Sequence, residues 1–310
     1  MSRLPTVERA WHDALYTGAG FYLDQWPARH FSTATQVGSD LAATLAALAH
    51  RHDLDTVVDV GAGGGELVTA LHAVDPALRL VAVELRPRPA RVPTRVVWRQ
   101  RLPTELAGLV VGNELLDTIP CPVVEVDGSG EPRVLLVDPA TGVECAGPAV
   151  VGADLRWLER WWPTVVGAGR SGADPAARRG LRAEVGRPRD DAWAGVVGRV
   201  RHGLVVAIDY GHRRADRPVG GSLRSYRSGS RVPVAYDGRT DITADVAVDA
   251  VADRVAGSVH RQRDLVLADR PGQRPGRSDR LAELARAGRR AEVRAVGGLG
   301  ELSWILSPPR

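Results

Sequence analysis

The stretch "VVDVGAGGGELVTAL", Val57–Leu71, decides how this chain folds and what it can hold. A short apolar run carrying Asp59 opens into glycines at 61, 63, 64 and 65, and residues of helical character follow. A strand that turns through glycines into a helix is how open α/β proteins bring backbone against a small ligand. The dinucleotide version of this turn, G-x-G-x-x-G, wants a glycine beside the pyrophosphate, but position 66 is Glu66. Carboxylates at Asp59 and Glu66 would repel a pyrophosphate at the helix start and favour a ligand that is cationic there. S-adenosylmethionine, with its sulfonium and ammonium groups and no phosphate, fits that requirement. Gly61, Gly63 and Gly65 would let the backbone lie against its amino-acid part.

Working outward, "RLVAVEL" (79–85) reads as the next strand and delivers Glu84 about 20 residues beyond the glycines, where an acid can accept from both ribose hydroxyls. "GLVVGNELLDTIP" (108–120) is a third apolar run; it ends in Asn113 and Glu114, with Asp117 three residues on. "GLVVAIDYG" (203–211) ends in Asp209. Polar groups at strand ends stand where open sheets bind ligands, whereas a single Asn or Asp there also suits helix capping. Apolar strands alternating with helical spacers predict a parallel sheet covered on both faces. Residues 1–50 read as an N-terminal helical cap and 51–150 as the cofactor-binding core. "DLRWLERWWP" opens a helical, lid-like insertion over 151–200, and 201–310 completes the core. Within this frame, "CPVVEVDGSGEPRVLLVDPATG" reads as a hairpin and "TADVAVDAVADRVA" as a helix. "ELSWILSPP" reads as a last strand and "ADRPGQRPGRSD" as a loop.

Composition removes several function classes. The chain has 310 residues and a net charge of +4, and all 41 of its basic residues are arginine. Without lysine, Schiff-base chemistry and a P-loop are excluded, because guanidinium cannot replace either amine. The arginines are mixed with acids along the chain, so no nucleic-acid surface is expected. No apolar run approaches twenty residues and no signal peptide is recognisable, so no membrane insertion and a cytoplasmic location are expected. Two cysteines and eight scattered histidines predict no metal site.

Taken in order, these segments resemble the MidA-like S-adenosylmethionine-dependent methyltransferases, whose mitochondrial members methylate an arginine of a complex I subunit. "GFY" and "FSTATQVGSDLAATLA" are similar to the family's N-terminal motifs, and "VVDVGAGGGEL" to its cofactor loop. "GNELLDTIPC" resembles N-E-x-x-D-[AT]-[LIF]-P-V, and "GLRAEVGRPRDDAW" the segment before its late strand. "AIDYG", "GGSLRSYR" and "DITADV" resemble later motifs of the same family. The resemblance implies a Rossmann-like class I methyltransferase sheet with an N-terminal helical segment and a helical insertion. It also implies S-adenosylmethionine as cofactor, held by Asp59, Gly61, Gly63, Gly65, Glu84 and Asn113. Glu114, Asp117 and Asp209 would be the catalytic acids, with Asp241 a further acid in a similar motif; the alternative role of Asp117, three residues after Glu114, is to stabilise the local turn. The implied acceptor is a protein arginine, and a respiratory-complex subunit is one expected partner.

Three departures fall on the acceptor side. Gln36 stands for the family's acid and Thr35 for its proline. Arg29-His30 replaces the glycine that precedes the phenylalanine of the first segment, and "RSYRSGSRVP", with Gly229, lacks the histidine that follows R-x-Y in the family. Two other classes therefore accompany the protein methyltransferase: a small-molecule methyltransferase, and a non-catalytic cofactor-binding assembly factor.

Overall fold

The computed structural model describes residues 4–24, 39–167, 175–266, 295 and 298–309. In chain order the helices are α1 (Val7–Tyr16), α2 (Phe21–Asp24), α3 (Ser39–Arg51), α4 (Glu66–Val74), α5 (Gly152–Trp161) and α6 (Pro163–Val166). They continue with α7 (Arg187–Val197), α8 (Val248–Arg254) and α9 (Gln262–Leu265). The strands run β1 (Thr56–Val60), β2 (Arg79–Val83), β3 (Val97–Arg99), β4 (Leu106–Asn113), β5 (Val123–Val126) and β6 (Pro132–Val137). Next come β7 (Glu144–Ala149), β8 (Arg182–Glu184), β9 (Val200–Asp209), β10 (Gly211–His212) and β11 (Arg224–Arg227). The last five are β12 (Ser230–Val232), β13 (Asp241–Thr243), β14 (Val246–Ala247), β15 (Ser258–Arg261) and β16 (Ser303–Ser307). The chain forms two compact units, and each is made of separated stretches of sequence.

One unit comprises Ser32–Leu115, Val196–Tyr210 and Ala256–Arg310. It is built on a seven-stranded sheet of order β15-β16-β9-β4-β1-β2-β3. Central strands need apolar side chains on both faces, and β1, β4 and β9 are buried along most of their length. Leu41, Leu45, Leu67, Leu71, Val57, Leu109, Val206 and Trp304 are buried in the core around this sheet, so α3 and α4 share it with the strands. β1, β2, β3, β4 and β9 pair in parallel, as the alternating pattern predicts. β16 departs from that pattern: it runs antiparallel to both β9 and β15. After β1 the chain builds outward through β2 and β3 and then returns to β4 on the other side. The ends of β1 and β4 therefore form the topological switch point, where open sheets take ligands.

The other unit comprises Met1–Phe31, Leu116–Gly195 and Gly211–Val255. β5 and β6 form the expected hairpin, and Asp127 fastens its turn by accepting from Ser129 N–H at 2.8 Å and Glu131 N–H at 3.1 Å. They continue into a four-stranded sheet of order β7-β6-β5-β8. α5 and α6 bury Trp157, Leu158, Trp162 and Val165 against Val124 and Val126 of this sheet.

Two features depart from the sequence reading. Residues 182–184 are extended rather than helical, because pairing with β5 decides their conformation. Of 243–256 only Val248–Arg254 is helical, since Asp241–Thr243 and Val246–Ala247 pair with other strands. The chain passes between the two units after residues 31, 115, 195, 210 and 255.

Candidate functional site

The site begins with Asp59, near the end of β1 and paired in register with Ala82 and Val111. It is 2% exposed. Burial pushes its carboxyl up to about 8, and the nearby charges of Glu84 and Glu66 add to the effect. Its Oδ2 has no hydrogen-bond partner among the described residues. Such a group is costly unless a cation or donor meets it.

The glycine loop follows directly on β1. Gly61 and Ala62 donate their N–H groups to the Val83 carbonyl at 2.9 and 3.1 Å, which ties the loop to the end of β2. Gly65 caps α4 with a φ of 79°. A Cβ there would stand 2.5 Å from Val92 Cγ2, so both conformation and space require glycine. Gly63 N–H donates to Glu84 Oε2 at 2.9 Å, and Arg86 N–H donates to Glu84 Oε1 at 3.2 Å. Glu84, read as a ribose acceptor, thus also fixes the loop. The charge of Glu84 is met by Arg86 at 3.5 Å, and that of Glu66 by Arg91. Among the described residues no arginine pairs with Asp59.

β4 and β9 supply the rest of this unit's polar groups. Asn113 stands opposite Ile208, and Glu114 N–H donates to the Ile208 carbonyl at 2.8 Å. That register sets Glu114 level with Asp209 on neighbouring strand ends. Glu114 takes a left-handed φ of 49° and accepts from Asn113 Nδ2 at 3.2 Å. Asn113 Oδ1 is buried without a partner. Asp209 is buried and accepts from Tyr210 N–H at 2.9 Å.

Asp117 belongs to the other unit. Its Oδ2 accepts from Thr243 Oγ1 at 2.6 Å. Its carbonyl accepts from Arg189 Nη2 at 2.9 Å and Ala244 N–H at 3.1 Å. Burial raises the Asp117 carboxyl, while the Thr243 bond and the charges of Arg224 and Arg189 oppose it. In the same unit Asp241 accepts from the Tyr22 hydroxyl at 2.7 Å, and burial pushes it up to about 7. Sequence reasoning assigned no role to Tyr22 or Arg189. Nothing in the primary structure sets Arg189 apart from the other arginines. Gln36, Thr35 and Arg29-His30 lie outside the described residues.

The polar groups of β1, β2 and β4 fit S-adenosylmethionine. Two buried acceptors without partners, Asp59 Oδ2 and Asn113 Oδ1, stand at the switch point beside a backbone loop with no bulky side chain. Among the described residues no cluster of His, Cys, Asp and Glu could hold a metal ion, and no helix is long and apolar enough to cross a membrane.

Residues 37–263 match the model of a family described as "Putative S-adenosyl-L-methionine-dependent methyltransferase". No curated protein matches the chain. Among solved structures, one similar fold is a Burkholderia thailandensis protein crystallised with S-adenosyl-homocysteine, with a TM-score of 0.76 and 23% identity. The match covers 98% of this chain and 87% of that one. A native structure of an uncharacterized protein from the same organism gives a TM-score of 0.76 at 24% identity, with the same coverage.

Proposed function

Because the chain belongs to this family of S-adenosylmethionine-dependent methyltransferases, we propose that its acceptor is an arginine of a protein, held by Glu114 and Asp209. The observation that carries the reading is their register: neighbouring strand ends bring two carboxylates level beside the switch point. Facing carboxylates raise one another's energy until a cation arrives between them. Guanidinium, planar and always charged, meets such a pair better than an ammonium does.

On this reading Asp59, the 61–65 loop, Glu84 and Asn113 hold the cofactor. Asp59 takes the ammonium, the glycines admit the amino-acid part and Glu84 accepts from the ribose. When bound, S-adenosylmethionine supplies an electrophilic methyl on a sulfonium. The chain's own task is to present the nucleophile in line and to exclude water. A guanidinium nitrogen is a poor nucleophile because its lone pair is delocalised. Carboxylates that fix its plane localise electron density on it, and one of them accepts the proton lost as the nitrogen gains the methyl. Asp117, three residues after Glu114, is a third acceptor-side acid, held by Thr243. A respiratory-complex subunit is the first protein acceptor to try, on the strength of the motif resemblance to the MidA-like methyltransferases.

The test uses labelled cofactor and protein from cells that lack this enzyme. Glu114→Gln should abolish transfer to arginine while cofactor affinity stays within ~1 kcal/mol of wild type, since a role confined to the transition state leaves ground-state binding alone. Label recovered on lysine or on a small metabolite would overturn the arginine assignment.

A further inference from the structure

Arg189, in α7, is 1% exposed, yet no carboxylate among the described residues lies within ion-pair distance of it. All the hydrogen bonds of its guanidinium go to backbone carbonyls. Nε donates to Ile119 O at 3.0 Å and Nη2 to Asp117 O at 2.9 Å. Nη1 donates to both Ala244 O and Asp245 O at 3.0 Å. The cation also stands over the Trp11 ring, 5.5 Å from its centroid. Burying an arginine without a counter-ion is expensive, and a neutral donor or an apolar plug would bridge two loops at less cost. Beyond the cohesion that these bonds supply, the positive charge acts on the acids beside the loops it joins. One loop carries Asp117 in "NELLDTIP", and the other follows Thr243, the residue that bonds the Asp117 carboxylate.

We propose that Arg189 is a positioning residue for methyl transfer: its guanidinium bolts the 117–119 loop to the 244–245 loop and so presents the Asp117 carboxyl in one orientation. The proposal rests on the reading of Asp117 as an acceptor-side acid. Burial raises the proton affinity of the Asp117 carboxyl and Asp245 adds to that, whereas the Thr243 bond and the charges of Arg224 and Arg189 oppose it. The Asp241 carboxyl faces the same region, and its ionisation is opposed by the Asp117 charge. Arg224 is engaged with Asp245 at 2.6 Å, which leaves Arg189 as the cation that also holds the Asp117 backbone.

Two substitutions separate charge from donors. Arg189→Gln keeps hydrogen-bond donors without charge, and Arg189→Lys keeps charge with fewer donors. Each is compared with wild type for fold by circular dichroism, for cofactor binding by calorimetry and for turnover against pH with labelled S-adenosylmethionine. In Arg189→Gln, affinity for S-adenosylmethionine should stay within about two-fold while kcat falls about 100-fold, the scale of a misplaced catalytic group. The acid limb of its pH–rate profile should move to higher pH, and millimolar guanidinium chloride should restore part of the rate. Arg189→Lys should lose kcat but keep the wild-type acid limb. A fall in cofactor affinity matching the fall in rate would overturn the proposal. So would an unmoved acid limb in Arg189→Gln, or unchanged turnover. If wild type labels an acceptor other than arginine, the arginine reading fails by itself, and the same ratios judge Arg189 on the acceptor that is labelled.

Discussion

Asp59 carries a proton affinity that neutral solution can reveal. Its carboxyl is pushed up to about 8 by burial and by the charges of Glu84 and Glu66, so in the free protein it is largely protonated at pH 7. A cationic ligand beside it reverses the preference and expels the proton. Calorimetry of S-adenosylmethionine binding at pH 7, in buffers of different ionisation enthalpy, should therefore report proton release approaching one per site. Asp59→Asn should abolish that release, and an equal release in the variant would refute the assignment. The position of Asp59 was legible in the sequence from the strand-to-glycine pattern. Its isolation was not, because that depends on Arg86 and Arg91 folding back onto Glu84 and Glu66 rather than onto it. Arg189 was wholly illegible: a buried arginine and a surface one are written with the same letter, and only the fold tells them apart.

The large sheet was the readable part of the architecture, since β1, β4 and β9 are buried on both faces and must be written in apolar residues. The direction of β16 was not readable, because an apolar run carries no sign of which way it pairs. The short strands β11 to β14 escaped for another reason. With two to four residues each they are defined by their partners and not by any period of their own. The link from β2 to the glycine loop also emerged only in three dimensions, through the bond from Gly63 N–H to Glu84. Glu84→Ala should therefore act twice, removing the ribose acceptor and loosening the loop that receives the amino-acid part. Calorimetry should show S-adenosylmethionine affinity falling by at least ~2–3 kcal/mol, the scale of hydrogen bonds to a charged group. Unchanged affinity would overturn both roles.

Across the whole molecule, several acids are buried with raised proton affinity: Asp59 to about 8, Asp190 and Asp241 to about 7, and Asp117 in the same direction. Burial is the leading cause at all four. In the unfolded chain such acids titrate near the ordinary carboxylate value, about 4. Between that value and the folded ones the native state binds more protons than the unfolded state, so stability drops as pH rises. The loss should run from about pH 4 and be complete only above about 8, once the folded groups have ionised too. Thermal melts of the cofactor-free protein over this window should show a falling midpoint, and Asp241→Asn should flatten part of the slope. A midpoint that rises steadily across the window would contradict these assignments. The way the two units share the chain has a consequence of another kind. Each is assembled from pieces that alternate along the gene, so no contiguous fragment encodes either one complete. A single crossover therefore cannot exchange either unit whole: it splits at least one of them between two parents.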